Sequence, residues 1–221
     1  MEKEGIESRF VQGLRVTCER SIAVVEQVIK GEVNPAIVAS LRRKGAKAEA
    51  VHGDTILRVT RKTGKDEAGG ALDWGFVGVP HEVDTAPLES LLAQATIPVI
   101  TPLGMGPDGR VHNVNADVAA AAVAQALKAR KLVFLSDVEG VLADEGDPDS
   151  VLSTLHAKDV EQLIAKGVIK GGMVPKVLSC VEAIHAGVRK VHMIDGRMPH
   201  SLLLEIFTDK GVGTEIIRDE D

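Results

Sequence analysis

From Ile100 to Asp117 the chain reads ITPLGMGPDGRVHNVNAD. An apolar strand leads into a glycine-rich loop and a tight turn at Pro107–Asp108–Gly109. Val111 to Asp117 comes next, and an alanine-rich helix begins at Ala116. Asn113, Asn115 and Asp117 alternate with small apolar residues at the helix start. Asn and Asp side chains accept hydrogen bonds from the free N–H groups there, so one of them serves as a cap. Three at alternate positions exceed what one cap needs. The other reading is a site in which amides hold a polar substrate and a carboxylate orients charged groups. On this stretch alone both readings stand.

Outward from this stretch the pattern is α/β. Ala86 begins a regular alternation: helix Pro87–Ala95, strand Ile97–Leu103, helix Ala116–Ala129, strand Lys131–Asp137, helices Lys158–Ala165 and Met173–Ala186, strand Val188–Ile194, helix Pro199–Phe207 and strand Gly213–Ile217. The apolar run Lys131–Asp137 has the character of a central parallel strand. Upstream, Arg9–Val11 predicts a short strand and Gly13–Thr17 a loop, with Thr17 capping a helix that Gly31 ends. Asn34–Pro35 predicts a second helix start, and Gly45 its stop. Strands are expected at Ala46–Val51, Thr55–Arg61 and Phe76–Val83, with His52–Gly53–Asp54 as a turn and Lys62–Gly70 as an exposed hairpin loop. The predicted fold is a mostly parallel sheet sandwiched by helices, with a β-hairpin insert. The expected division is residues 1–95 and 96–221.

Composition narrows the function. Hydrophobic residues make up 44% of the 221, enough for a packed core, while aromatics are 2% and Tyr is absent, so the core rests on aliphatic side chains. Few aromatics argue against base stacking on single strands, and a net charge of −6 without a basic run argues against nucleic acid as a partner. No apolar run reaches the roughly 20 residues of a membrane span, and Met1–Gly5 lacks the apolar core of a signal peptide. Cys18 and Cys180 are the only cysteines and form no C-x-x-C pair, so neither a disulfide framework nor a zinc site is expected. A cytoplasmic setting is the expectation.

Four other places can carry chemistry. Arg15, in a loop before a helix, can fork onto a carboxylate, although taken alone the motif more simply reads as a solvated arginine. Ser136–Asp137 ends an apolar strand at the edge where open α/β sheets bind ligands, although both residues are also turn formers. Gly171–Gly172 opens a helix carrying Lys176 in its first turns, which suits phosphate, although the Walker A spacing is absent. His192, Asp195, Arg197 and Glu205 either belong to a plain last βαβ unit or line an effector pocket. Phosphoryl transfer needs only such parts: helix N-termini, lysines and an organising aspartate.

In order, GLRVT (Gly13–Thr17), NVNAD (Asn113–Asp117), LSDVEG (Leu135–Gly140), GGMVPK (Gly171–Lys176) and the stretch His192–Thr214 resemble the acetylglutamate kinases of the amino acid kinase family. The resemblance implies ATP-dependent phosphorylation of the side-chain carboxylate of N-acetyl-L-glutamate, in arginine biosynthesis. It implies that Arg15 and Asn113 hold substrate, that Asp117 organises catalytic lysines, and that Lys176 stabilises the transferring phosphoryl group. Asp137, Val138, Gly140 and Leu142, with Lys170, Gly171, Gly172 and Met173, would line the nucleotide. Mg²⁺ would come with ATP through its phosphates, with no protein metal site. Glu205, Gly211 and Gly213 are candidates for binding L-arginine as an inhibitor, and a homo-oligomer is implied.

The resemblance also has a gap. Family members begin with a strand carrying a lysine and a Gly-Gly loop, and a second strand ends in a His-Gly-Gly-Gly-type loop. Neither occurs in these 221 residues, and His52–Gly53–Asp54 corresponds to a later turn. The expectation is an N-terminally truncated chain with little or no kinase turnover by itself. A late start codon, a fragment and a non-catalytic binding member each fit. A non-catalytic nucleotide- or arginine-binding module and a kinase for another acyl amino acid are the alternatives.

Overall fold

The structure is a computed structural model that describes residues 9–11, 14–65, 69–144, 146–147, 150–208 and 211–219. Gly13 and the middle of the expected hairpin loop at 62–70 lie outside these residues, as do parts of the acidic loop 144–150. The chain divides into two compact units, Met1–Val123 and Ala124–Asp221.

The first unit opens with β1 (Phe10–Val11) and β2 (Leu14–Arg15), an antiparallel pair in which Phe10 faces Arg15. Helix α1 (Glu19–Val28) runs through a π-helical turn at Ile29–Val33 into α2 (Asn34–Arg43). Then come β3 (Ala48–Val51), the short α3 (Gly53–Ile56), β4 (Leu57–Lys65), β5 (Ala71–Val83), α4 (Ala86–Ala93), β6 (Ile97–Ile100), β7 (Leu103–Met105), β8 (Val111–Asn113) and α5 (Ala116–Ala126). β3 and β6 pair in parallel, while β4, β5, β8 and β7 close into a barrel. The barrel core takes the aliphatic residues its strands alternate inward, Leu57, Val59, Val77 and Leu103, all buried. Trp74 is buried as well, and its indole N–H donates to the Val11 carbonyl at 3.1 Å, which satisfies the ring's one polar atom.

The second unit begins in the last residues of α5. It continues through β9 (Lys131–Ser136), β10 (Thr154–His156), α6 (Val160–Ala165), α7 (Met173–His185), β11 (Lys190–Asp195), α8 (Ser201–Phe207) and β12 (Thr214–Ile217). The sheet order is β10–β12–β11–β9. β9 and β11 are parallel, β10 and β12 are parallel, and β11 meets β12 antiparallel. Helix α7 buries Val177, Cys180, Ala183 and Ile184, four positions at helical spacing, and packs on β11 and β12. Together with the first unit this is the expected α/β class, with parallel pairs flanked by helices and the β4–β5 hairpin as the insert.

Several local expectations are corrected. Gly13–Thr17 is not all loop, because Leu14–Arg15 pairs with β1. Thr17 does not cap α1. Its hydroxyl donates to the Arg15 carbonyl at 3.1 Å and its backbone bridges Gly75, so Cys18 takes the cap position. Gly31 does not end a helix, and Asn34 does not start one as a cap. The backbone stays helical through Val33 and Asn34, and the Asn34 amide instead donates to the Val99 carbonyl at 2.7 Å. Lys62–Lys65 belongs to β4, since antiparallel pairing with β5 continues to Lys65. The strand expected at Ile97–Leu103 is two, broken at Thr101–Pro102. β9 lies at the edge of its sheet rather than the centre, and Leu135 in it is exposed.

Candidate active and nucleotide-binding site

In the second unit the carboxyl ends of β9 and β11 lie side by side, because the parallel register sets Asp195 opposite Ser136. The Gly196 N–H donates to the Ser136 carbonyl at 2.8 Å and fixes that edge. From β9 the chain turns through Asp137–Leu142. Gly140 has φ +149°, and a Cβ there would come within 2.7 Å of Thr214 Oγ1. The same hydroxyl oxygen accepts the Val141 N–H at 2.8 Å, so the loop is pinned on β12.

Lys176 lies one turn into α7 and reaches that edge. Its ammonium donates to Ser136 Oγ at 2.7 Å and to Asp137 Oδ1 at 2.6 Å. The hydrogen bond from Lys176 holds the Asp137 carboxyl below the usual aspartate range. Across the edge, Arg197 grips Asp195 bidentately at 2.9 and 2.8 Å and lowers the Asp195 carboxyl in turn. Beside these pairs opens a cavity of about 370 Å³. Asp137, Val138, Gly140, Leu142, Lys170 and Met173, the residues that the resemblance offers for a nucleotide, all line it. Glu139, Val141, Val168 and Arg197 complete the wall. Val168 was not singled out in the sequence, because it lies in no recognisable motif, and Arg197, named there among the charges of a last βαβ unit or an effector pocket, lines this cavity instead. Gly171 and Gly172 are exposed in the turn before α7 and are not among the lining residues.

The first unit carries the other expected residues. Arg15 is half-buried on β2, with its guanidinium 5.0 Å from the Phe10 ring centroid. Asn113 ends β8 and pairs in register with Leu103 and Val77, so barrel closure fixes its backbone. Asp117 is half-buried in the first turn of α5, where negative charge is favoured. Between them, Asn115 is the cap: its side-chain oxygen accepts the Val118 N–H at 3.1 Å.

A second cavity in the second unit, of about 390 Å³, is lined by the expected Glu205, Gly211 and Gly213, together with Lys131, Lys190, His192 and Glu215 among others. Glu205 is buried, and its carboxylate accepts the Val212 N–H at 2.7 Å and the Gly213 N–H at 3.1 Å. His192 Nδ1 lies 2.7 Å from Glu205 Oε1 and must carry the proton, since an ionised carboxylate only accepts. Burial alone would raise the Glu205 carboxyl, but these three donors outweigh it and hold the group below its ordinary value. Among the described residues no group of three or more His, Cys, Asp or Glu could hold a metal ion. No helix among them is long and apolar enough to cross a membrane.

Residues 1–195 match the Amino acid kinase family, which sets the chain among α/β phosphotransferases. The chain belongs to that family, whose kinases use ATP. It is 47% identical over 224 residues to the acetylglutamate kinase of Heliobacterium modesticaldum, covering 99% of this chain and 76% of that protein. Among solved structures it superposes with a TM-score of 0.78 on the smu.665 protein of Streptococcus mutans, at 27% identity, covering 98% of this chain and 80% of that one. The N-acetylglutamate synthase of Neisseria gonorrhoeae, complexed with coenzyme A and N-acetyl-glutamate, superposes with a TM-score of 0.83 at 30% identity, covering 99% of this chain and 48% of that one.

Proposed function

We propose that the chemistry of this chain is ATP-dependent phosphorylation of the side-chain carboxylate of N-acetyl-L-glutamate, a step of arginine biosynthesis, with weak turnover by these 221 residues, in which neither the lysine/Gly-Gly strand nor the His-Gly-Gly-Gly loop occurs. The observation that carries this is Lys176, held by Ser136 and Asp137 beside a cavity walled by Asp137–Leu142, Lys170 and Met173. The identity to acetylglutamate kinase supports the choice of acid. In the reaction a carboxylate oxygen attacks the γ-phosphorus and the bond to the β–γ bridging oxygen breaks. ADP leaves with that electron pair, and an acyl phosphate remains. The nucleophile is already an anion at neutral pH, so no general base is needed. The demand is for cations that neutralise charge on the transferring group.

Lys176 takes that role, and Asp117 an organising electrostatic one. Arg15 and Asn113 hold the acyl amino acid in the first unit, and the second unit holds the nucleotide, with Gly171 and Gly172 offering N–H groups at the start of α7. Mg²⁺ fits as an ion carried by ATP phosphates and water rather than by a cage of protein carboxylates. The same reading places the protein in the cytoplasm as a homo-oligomer. Exposed Val28, Val33 and Ile37 along α1–α2 support self-association.

Calorimetry with ATP and a panel of acids, paired with hydroxylamine trapping of acyl phosphate, tests the assignment. Binding of ATP and preference for N-acetylglutamate over carbamate, aspartate and free glutamate are expected. Preference for another acid overturns it. A regulatory reading is favoured by the second cavity, where Glu215, bonded through Oε1 to Lys190 at 2.8 Å, lies beside Gly211 and Gly213 and presents a carboxylate suited to the guanidinium of L-arginine, while Glu205 holds the wall in place. Arginine binding that Glu215→Gln weakens supports this, and binding unchanged in that variant counts against it.

A further inference from the structure

Arg197 stands two residues beyond β11 and has been given no role toward the nucleotide. It is anchored on one side only. Its backbone N–H donates to Asp195 Oδ1 at 2.8 Å, its Nε to the same oxygen at 2.9 Å, and its Nη2 to Oδ2 at 2.8 Å. Asp195 is 9% exposed at the end of a buried strand, so this anchor does not move with solvent. The pairing consumes the Nε/Nη2 edge of a planar group with five N–H donors. The Nη1 edge is left for a second acceptor.

That edge is accessible, because the Arg197 side chain keeps 66% of its exposure while lining the cavity of about 370 Å³. The charged lining is balanced, two cations against two acids, and Asp195, Asp137 and Glu139 all act on Arg197. Arg197 and Lys170 are the cations of the lining, and the Asp137 carboxylate facing them is engaged by Lys176. Glu139 is the remaining acid, and it sits in an exposed loop. Val138, Val141, Leu142, Val168 and Met173 give the cavity an apolar side suited to a base, which leaves the charged side for phosphates.

We propose that Arg197 binds the polyphosphate of the nucleotide through its outer guanidinium edge, with Asp195 as the positioning residue that turns this edge toward the cavity. The inference rests on the nucleotide reading of that cavity. A purely structural arginine would clamp the turn after β11 and serve all ligands equally. A phosphate-binding arginine discriminates among them.

The test titrates ATP and adenosine against the full chain and its Arg197→Gln, Arg197→Lys and Asp195→Asn variants, by displacement of a fluorescent ATP analogue. Arg197→Gln weakens ATP by about tenfold or more and adenosine by less than about twofold. Asp195→Asn weakens ATP by an intermediate factor. Arg197→Lys falls between wild type and Arg197→Gln, because an ammonium keeps the charge and loses the fork. A folded Arg197→Gln that holds ATP within about twofold of the unsubstituted chain overturns the proposal, as does an equal loss for ATP and adenosine. Should Arg197→Gln not fold, an Arg197→Lys variant within about twofold of wild type for ATP overturns it. Failure of the unsubstituted chain to displace the analogue with ATP overturns the nucleotide reading itself and is separable from either result.

Discussion

At the residue scale, two hydrogen-bonded charged side chains differ in what they contribute. Lys176 bonds to Ser136 and Asp137 on an exposed edge, where ion pairs add little to stability. In the proposed reaction its value lies in charge offered to the transferring group. In the protein lengthened to include the lysine/Gly-Gly strand and the His-Gly-Gly-Gly loop, Lys176→Ala is therefore expected to lower acyl-phosphate formation by about 10²–10³, with a thermal midpoint close to wild type. Turnover near wild type, or a collapse of the fold, would remove Lys176 from the role given to it. Glu205 is the reverse case. It is buried and satisfies His192 and two backbone N–H groups, so its contribution is to the fold. Glu205→Gln replaces a charged acceptor by a neutral one and is expected to cost about 1–2 kcal/mol near neutral pH. Because the folded carboxyl is held below its ordinary value, the contribution is full above the unfolded glutamate range and is lost as pH falls through the lowered folded value. The gap in thermal midpoint between wild type and Glu205→Gln should stay constant above about pH 5 and narrow below about pH 4. A gap that does not change with pH contradicts the charged-acceptor account.

At the element scale, the start of α5 sets a capping residue, Asn115, two positions from the residue proposed for binding, Asn113. Asn115 makes the capping bond to Val118, whereas Asn113 ends β8 before the helix begins. Asn115→Ala should destabilise the protein by about 1 kcal/mol, and Asn115→Asp should restore most of that. Asn113→Ala should leave the thermal midpoint nearly unchanged and weaken N-acetylglutamate binding in calorimetry. The opposite pattern would exchange the two roles. Much of this was legible beforehand. The alternation at Asn113–Asp117, the glycine turn before Lys176 and the apolar spacing on α7 are local signals, and local signals survive into the structure. Other features were not legible because a distant partner decides them. Thr17 reads as a cap, but its backbone is claimed by Gly75. Asn34 reads as a helix start, but its amide is claimed by Val99 on β6. Arg197 was visible only as one charge among several. Its bidentate grip on Asp195 and its place in the cavity wall depend on the register of β11 against β9.

At the scale of the whole molecule, the proposed chemistry is divided along the chain. The residues proposed for the acyl amino acid, Arg15 and Asn113, lie in Met1–Val123, and the cavity proposed for ATP is lined wholly from Ala124–Asp221. Each unit has its own buried centre, around Leu57, Val59, Trp74 and Leu103 in the first and around Val177, Ile184, Met193 and Ile216 in the second. A ligand that binds one compact unit stabilises mainly the local openings of that unit. Hydrogen exchange followed by mass spectrometry can therefore assign the ligands to the units without any reaction taking place. With ATP, protection should rise in Asp137–Leu142 and in the first turns of α7, and little in the β4–β5 hairpin. With N-acetylglutamate, it should rise near Arg15, β8 and the start of α5, and little around Lys170–Lys176. The two ligands enter separately, so the maps can be compared peptide by peptide. ATP protection centred on residues 57–83, or N-acetylglutamate protection confined to 137–142, would overturn the division. The matching pattern would make the unit that holds Lys176 and Arg197 the one that handles phosphate, because their amides and cations meet the polyphosphate whether or not the acid is bound.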